Sequence, residues 1–155
     1  MSGELDHSVG AAGAPENRIA LIASGIAGRV SFSTSLGLED QVVLHAIARA
    51  GAEIDVFTLD TGRHFPETLD TIEASERRFG IKIRVIAPDA NDVEALVQRD
   101  GIYGFRLSVD ARKACCDVRK VSPLRRALNG STGWLTGLRR TQSASRGAVP
   151  FVAFD

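Results

Sequence analysis

Ser31-Phe32-Ser33-Thr34-Ser35-Leu36-Gly37-Leu38-Glu39-Asp40 joins a short β-type run, entered from Arg29-Val30, to a segment with helical spacing. Val42, Val43, Ala46, Ile47 and Ala50 fall at i, i+1, i+4, i+5 and i+8, one apolar face of a helix. Between strand and helix lie Ser33, Thr34, Ser35 and Gly37, small residues that leave backbone N–H groups open. A helix N-terminus behind such a loop presents free donors and the positive end of a dipole to an anion. Glu39 and Asp40 in the first turn suit the same dipole. The nucleoside-triphosphatase pattern G-x-x-x-x-G-K-[ST] is absent. Taken alone, the stretch reads equally as a serine-rich cap on an ordinary helix.

The surrounding chain has the same alternation. The spacing predicts a helix over 16–28, a strand over 53–59, and a helix over 66–79 opened by Pro66 and Glu67 and stopped by Gly80. A strand follows over 81–86, then a helix from Asp89 to Arg99. Residues 101–112 read as loop, a helix is expected from near Ser122-Pro123, a strand at 134–137, and a weaker one over 149–154. Strands alternating with helices predict an α/β fold with a mainly parallel sheet and helices on both faces. Ligands of such sheets bind beyond the carboxyl ends of the strands, where 33–37, 60–63 and 137–143 would meet.

At 155 residues, 44% hydrophobic and with 19 basic residues against 19 acidic, the chain has the size and balance of one globular domain. Residues 1–15, rich in Gly and Ala, are expected to be disordered; 16–155 form the domain. No charge excess points to nucleic acid or a membrane surface, and no apolar run reaches membrane-spanning length. The first residues lack the pattern of a secretory signal, so the expected location is cytoplasmic. The strand-like ending at Asp155 suggests a domain cut at its C-terminus. A homo-oligomer is left open.

Three further stretches carry chemistry. Leu59-Asp60-Thr61-Gly62-Arg63-His64-Phe65-Pro66 places Arg63 and His64 after a strand, with Gly62 permitting a tight turn. Cys115-Cys116 sit among Lys113, Arg119 and Lys120, an electropositive setting that favours thiolate; metal ligation, a vicinal disulfide or two plain thiols all fit. Thr136-Gly137-Leu138-Arg139-Arg140-Thr141-Gln142-Ser143, with Arg146 behind, has an anion-binding composition.

In order, Ser-x-Ser-x-Gly-x-Glu-Asp, Leu-Asp-Thr-Gly-Arg-x-x-Pro-Glu-Thr, Cys-Cys-x-x-Arg-Lys-x-x-Pro-Leu and Thr-Gly-x-Arg-x-x-Gln-Ser span 31–143. Together they resemble the assimilatory sulfonucleotide reductases, most of all the branch acting on adenylyl sulfate (APS). The resemblance implies an adenine-nucleotide α-hydrolase-like (PP-loop) fold and thioredoxin-dependent reduction of APS to sulfite and AMP. It implies that Ser33, Ser35 and Gly37 bind the phosphate side, that Leu59, Asp60 and Gly62 border the adenosine, and that Lys120 and Arg146 face the sulfate. Arg119 would be their structural or substrate-facing neighbour. It further implies that Cys115 and Cys116 are two of four ligands to a 4Fe-4S cluster. The family's later Cys-x-x-Cys and its C-terminal nucleophilic cysteine have no counterpart here, so no catalytic residue is assigned and this chain alone is expected not to turn over. The alternatives are a PP-loop remnant that only binds nucleotide, reduction of the 3′-phosphorylated substrate (PAPS), or an ATP pyrophosphatase.

Overall fold

The computed structural model describes residues 2–138 and 150–153. Four strands, β1 (Arg29–Ser33), β2 (Asp55–Leu59), β3 (Arg84–Ile86) and β4 (Ser131–Leu135), form a parallel sheet in the order β3-β2-β1-β4. Side chains alternate across a strand, so the Phe32–Val56 pair looks to one face and Ser31 and Phe57 to the other. The first face packs on Ile19 of α2 (Pro15–Gly25) and on Leu44, Ala46 and Ile47 of α3 (Leu38–Ala50). Ile72 and Phe79 of α4 (Pro66–Phe79) border that core. Phe57, fully buried, lies on the opposite face; α7 (Ser122–Leu128) contacts β2 and β3. Helices thus flank a parallel sheet, as expected.

Local signals set most boundaries. Pro66 opens α4 at its first turn, and Gly80, at φ 67°, closes it with its N–H on Glu76 O at 2.9 Å. Asp89 caps α5 (Ala90–Asp100), accepting from the Asn91 N–H at 2.9 Å. Where a loop was expected, a short 3-10 turn (Gly104–Arg106) leads into α6 (Val109–Cys116). No residue of α6 is buried, so this helix has no apolar stripe for a periodicity to reveal.

Two terminal expectations differ from the structure. Ser2–Ala11 is helix α1 rather than a disordered segment. Its Gly and Ala content hides one anchor, Val9, which is buried against Ile22 and Val30 with Leu5 alongside. Residues 150–153 form a bend, with no strand among them; Val152 N–H donates to Asp6 Oδ1 at 2.8 Å, docking the segment on α1. Among the described residues no helix is long and apolar enough to cross a membrane.

The sheet carries one charged lock. Asp55 receives Arg84 through two bonds of 2.8 and 2.7 Å, with Arg29 at 3.4 Å and Ser31 Oγ at 3.2 Å. The Arg84 hydrogen bonds, together with the Arg84 and Arg29 charges and the Ser31 hydroxyl, outweigh burial and hold the carboxyl below its usual range. A carboxyl lowered in the folded state stabilises above its unfolded value, and the gain disappears as pH falls through the folded value. Asp55→Asn should therefore cost about 1 kcal/mol or less at pH 7. Urea titrations of both proteins should converge only as pH falls through the folded carboxyl value, itself below 3.8; a gap that persists in stronger acid would refute the ionic origin.

Candidate functional site

The sheet order reverses direction at β1, whose neighbours β2 and β4 receive their chains from opposite sides. Such a switch point opens a crevice at the carboxyl ends. A cleft of about 400 Å³ lies there, within the usual range for small-molecule sites. Its walls come from Ser33–Ser35 after β1, from Leu59, Thr61 and His64 after β2, and from Trp134, Gly137 and Leu138 around the end of β4, with Lys120 and Leu124 closing one side.

The β1–α3 loop is tied down from within. Leu36 adopts φ 66°, a left-handed conformation costing a non-glycine residue roughly 1–2 kcal/mol. Its N–H donates to Thr34 Oγ1 at 2.9 Å, and its side chain packs on the core. Asp40 is buried and folds back: its Oδ2 accepts from Ser35 N–H at 2.6 Å, from Ser35 Oγ–H at 2.7 Å and from Thr34 Oγ1 at 3.4 Å. Both Ser35 donors are thus engaged by Asp40. Gly37 caps α3 without a side-chain bond, and the first helical N–H groups have no intrahelical partner by construction. The backbone of Gly137 presses on this turn, since a Cβ there would collide with Asp40 Oδ1.

The β2–α4 loop is fixed by Asp60, which accepts the Gly62 N–H at 2.9 Å, with Gly62 at φ 67°. Asp60 N–H continues the sheet to Ile86 O at 3.0 Å, and His64 Nε2 bonds Leu59 O at 2.8 Å. Of the two candidate anion contacts, only His64 lines the cleft. Arg63 turns away to Ile102 O and lies over the Phe105 ring at 4.7 Å, a cation–π contact.

Between α6 and α7 the helix widens into a π turn, Asp117–Val121, with Ser122 N–H bonded to Asp117 O. Pro123 follows directly; it lacks an N–H and crowds the preceding turn, and a π bulge absorbs that misfit. The turn sends adjacent residues opposite ways. Arg119 is buried, donates through Nη1 to Thr61 O at 2.7 Å and leaves Nε without a partner. Lys120 is exposed and lines the cleft.

The expected 4Fe-4S cluster is overturned here. Among the described residues no group of three or more His, Cys, Asp or Glu side chains is placed to hold a metal ion. Neighbouring helical side chains diverge by about 100°. Cys115, half-buried, lines a narrow crevice with Arg63 and Arg119, while Cys116 is exposed. Two divergent thiols without further ligands do not fit a cluster that requires four, so the iron–sulfur and metal-binding expectations do not hold.

Ser33 receives a donor that the sequence did not advertise: Trp134 Nε1–H at 2.8 Å. Thr58 and Trp134 were missed as cleft-building residues, and the inward bonds of Thr34 and Asp40 were not foreseen, because each acts through a partner far off in the chain or through an internal loop bond. Thr58 Oγ1, for example, donates to Thr34 O at 2.8 Å across the sheet. Arg146 and residues 139–143 lie outside the described residues.

Known proteins bear on this architecture in three ways. A family model described as the phosphoadenosine phosphosulfate reductase domain matches residues 29–155. The adenosine 5′-phosphosulfate reductase of Agrobacterium fabrum is 51% identical over 138 residues, covering 89% of this chain and 53% of that protein. The same-named protein of Allochromatium vinosum is 48% identical over 126 residues, with 81% and 49% covered. The chain therefore spans about half the length of these relatives. A phosphoadenylyl-sulfate reductase from Candida auris, solved as a phosphate complex, superposes with a TM-score of 0.76 at 22% identity, covering 100% of this chain and 74% of that one. At that identity the likeness establishes the fold.

Proposed function

The chain belongs to the phosphoadenosine phosphosulfate reductase domain family, and on that premise we propose that its cleft binds adenosine 5′-phosphosulfate for reduction to sulfite and AMP. The observation that carries this reading is the cleft itself, built at the sheet's switch point from all three motif loops that the structure describes. In it the N–H groups at the start of α3, beside Ser33, Ser35 and Gly37, take the AMP phosphate. Leu59, Asp60 and Gly62 border the adenosine, and Lys120 faces the sulfate, a role that Arg146 shares. Residues 16–155 act as one sulfonucleotide-binding unit.

The reaction transfers two electrons from a dithiol, thioredoxin by this reading, to the substrate sulfur. A thiolate attacks sulfur, the bond from sulfur to the AMP phosphate oxygen breaks, and AMP leaves with the electron pair. A second thiol then releases sulfite and closes a disulfide. Among the described residues neither cysteine lines the cleft. The part of this chain is thus to bind, orient and neutralise charge, in the reducing cytoplasm where dithiol reductants work.

Calorimetric titration with AMP, APS and ATP–Mg²⁺ tests the reading. AMP and APS should compete for one site, with APS tighter. Turnover of ATP with pyrophosphate release, or no binding of AMP and APS, would overturn it. Lys120→Ala should weaken APS about tenfold and AMP much less, because a charge-assisted contact to the sulfate is lost. Equal losses for both ligands would remove Lys120 from the sulfate end.

A further inference from the structure

We propose that Trp134 is a positioning residue whose indole N–H sets Ser33 as a hydrogen-bond donor to the phosphate of the bound nucleotide. The inference rests on the nucleotide-binding reading above and assigns one residue within it. Trp134 stands on β4 beside β1, the pair across which the switch-point cleft opens. Its Nε1–H donates to Ser33 Oγ at 2.8 Å, and both residues line the cleft.

An indole nitrogen can only donate, whereas a serine hydroxyl has one hydrogen and two lone pairs. With one lone pair of Ser33 occupied by Trp134, the hydroxyl hydrogen is left to point elsewhere. Ser35 cannot provide the same service, because its N–H and its hydroxyl both go to Asp40. Ser33 is thus the side chain of the β1–α3 loop with a hydrogen free for an anion, since Thr34 directs its own hydroxyl to Asp40. Trp134 makes this arrangement cooperative, as a chain of donors polarises each member.

The half-exposed ring of Trp134 also supplies the readout, since the chain contains one tryptophan. Its fluorescence reports the occupied cleft directly. Trp134→Phe keeps an aromatic wall and removes only the N–H; Ser33→Ala keeps the indole and removes the hydroxyl. Affinities for AMP and for adenosine are measured on the full chain of each variant, by fluorescence where the indole remains and by calorimetry throughout.

Trp134→Phe should lose about tenfold in AMP affinity, the scale of one hydrogen bond to a charged group, and leave adenosine binding unchanged. Ser33→Ala should behave alike, and the double variant should be no worse than Ser33→Ala alone, the signature of two residues acting through one contact. If wild-type protein binds AMP and Trp134→Phe binds it equally well, the positioning role fails while the nucleotide site stands. Equal losses for AMP and adenosine would also overturn it, since a merely structural tryptophan gives that pattern. Wild-type protein that binds neither ligand removes the nucleotide reading and this inference together.

Discussion

Asp40→Ala should lower stability by about 2–4 kcal/mol, the range for breaking a buried hydrogen-bond network, and abolish measurable AMP binding at millimolar ligand. Asp40 Oδ2 is the common acceptor for the Ser35 N–H, the Ser35 hydroxyl and Thr34 Oγ1. Alanine strands these donors in a part of the loop where Thr34 and Asp40 are themselves buried. The left-handed Leu36 next to them then loses the frame that holds it, and the start of α3 loosens with the loop. For a chain of this length the loss corresponds to a fall in melting temperature of roughly 5–15 °C. Asp40→Asn keeps one carbonyl acceptor and should recover part of the stability. A melting curve unchanged by alanine would mean that the carboxylate does not hold the loop.

Arg119→Ala should cost about 2–3 kcal/mol through the lost bond to Thr61 O, the buried carbonyl left behind and the emptied volume. Its functional effect should be at least as large, since Arg119 is what fastens the widened helix to the β2–α4 loop. A methionine separates the two consequences. It refills the space without a charge to desolvate, and buried charges replaced by apolar groups of similar size often leave stability unchanged or improved. The Nε of Arg119, buried without a partner, adds to that expectation. Arg119→Met should therefore regain the packing part of the stability, while the Thr61 carbonyl stays unpaired, and should not regain the AMP affinity. Amide hydrogen exchange at Thr61 and Gly62 should be faster in both variants. Recovery of affinity by methionine would show that Arg119 only fills space. Lys120, one residue on and exposed, should be replaceable by alanine without any change in melting temperature.

Much of this molecule can be read along the chain. Pro66 and Gly80 mark both ends of α4, Asp89 marks the start of α5, and the β-type run before Ser33 became β1, because each rests on backbone preferences set by a residue and its near neighbours. The order of the motif loops gave the family and the parallel sheet for a related reason. Strand, loop and helix recur in a pattern that only one arrangement of crossovers buries well. Helix α6 escaped because none of its residues is fully buried, and α1 because a single valine is its fully buried anchor.

The site was legible as a place and not as a set of contacts. Ser33, Ser35, Leu59 and Lys120 do meet in the cleft, but the hydroxyl of Ser35 is spent on Asp40, Arg63 leaves for the Phe105 ring, and Ser33 is governed by Trp134 from a strand one hundred and one positions later. The two cysteines, adjacent in sequence, diverge on the helix and gather no further ligand among the described residues. The sequence by itself determined the alternation of strand and helix, the main helix caps, the parallel fold and the family, since these follow from short-range preference and from order along the chain. Only the tertiary structure decided which donors stay free, which arginine is buried and which lysine faces the cleft. Hydrogen bonds between distant residues are chosen by packing, and packing is a property of the folded whole.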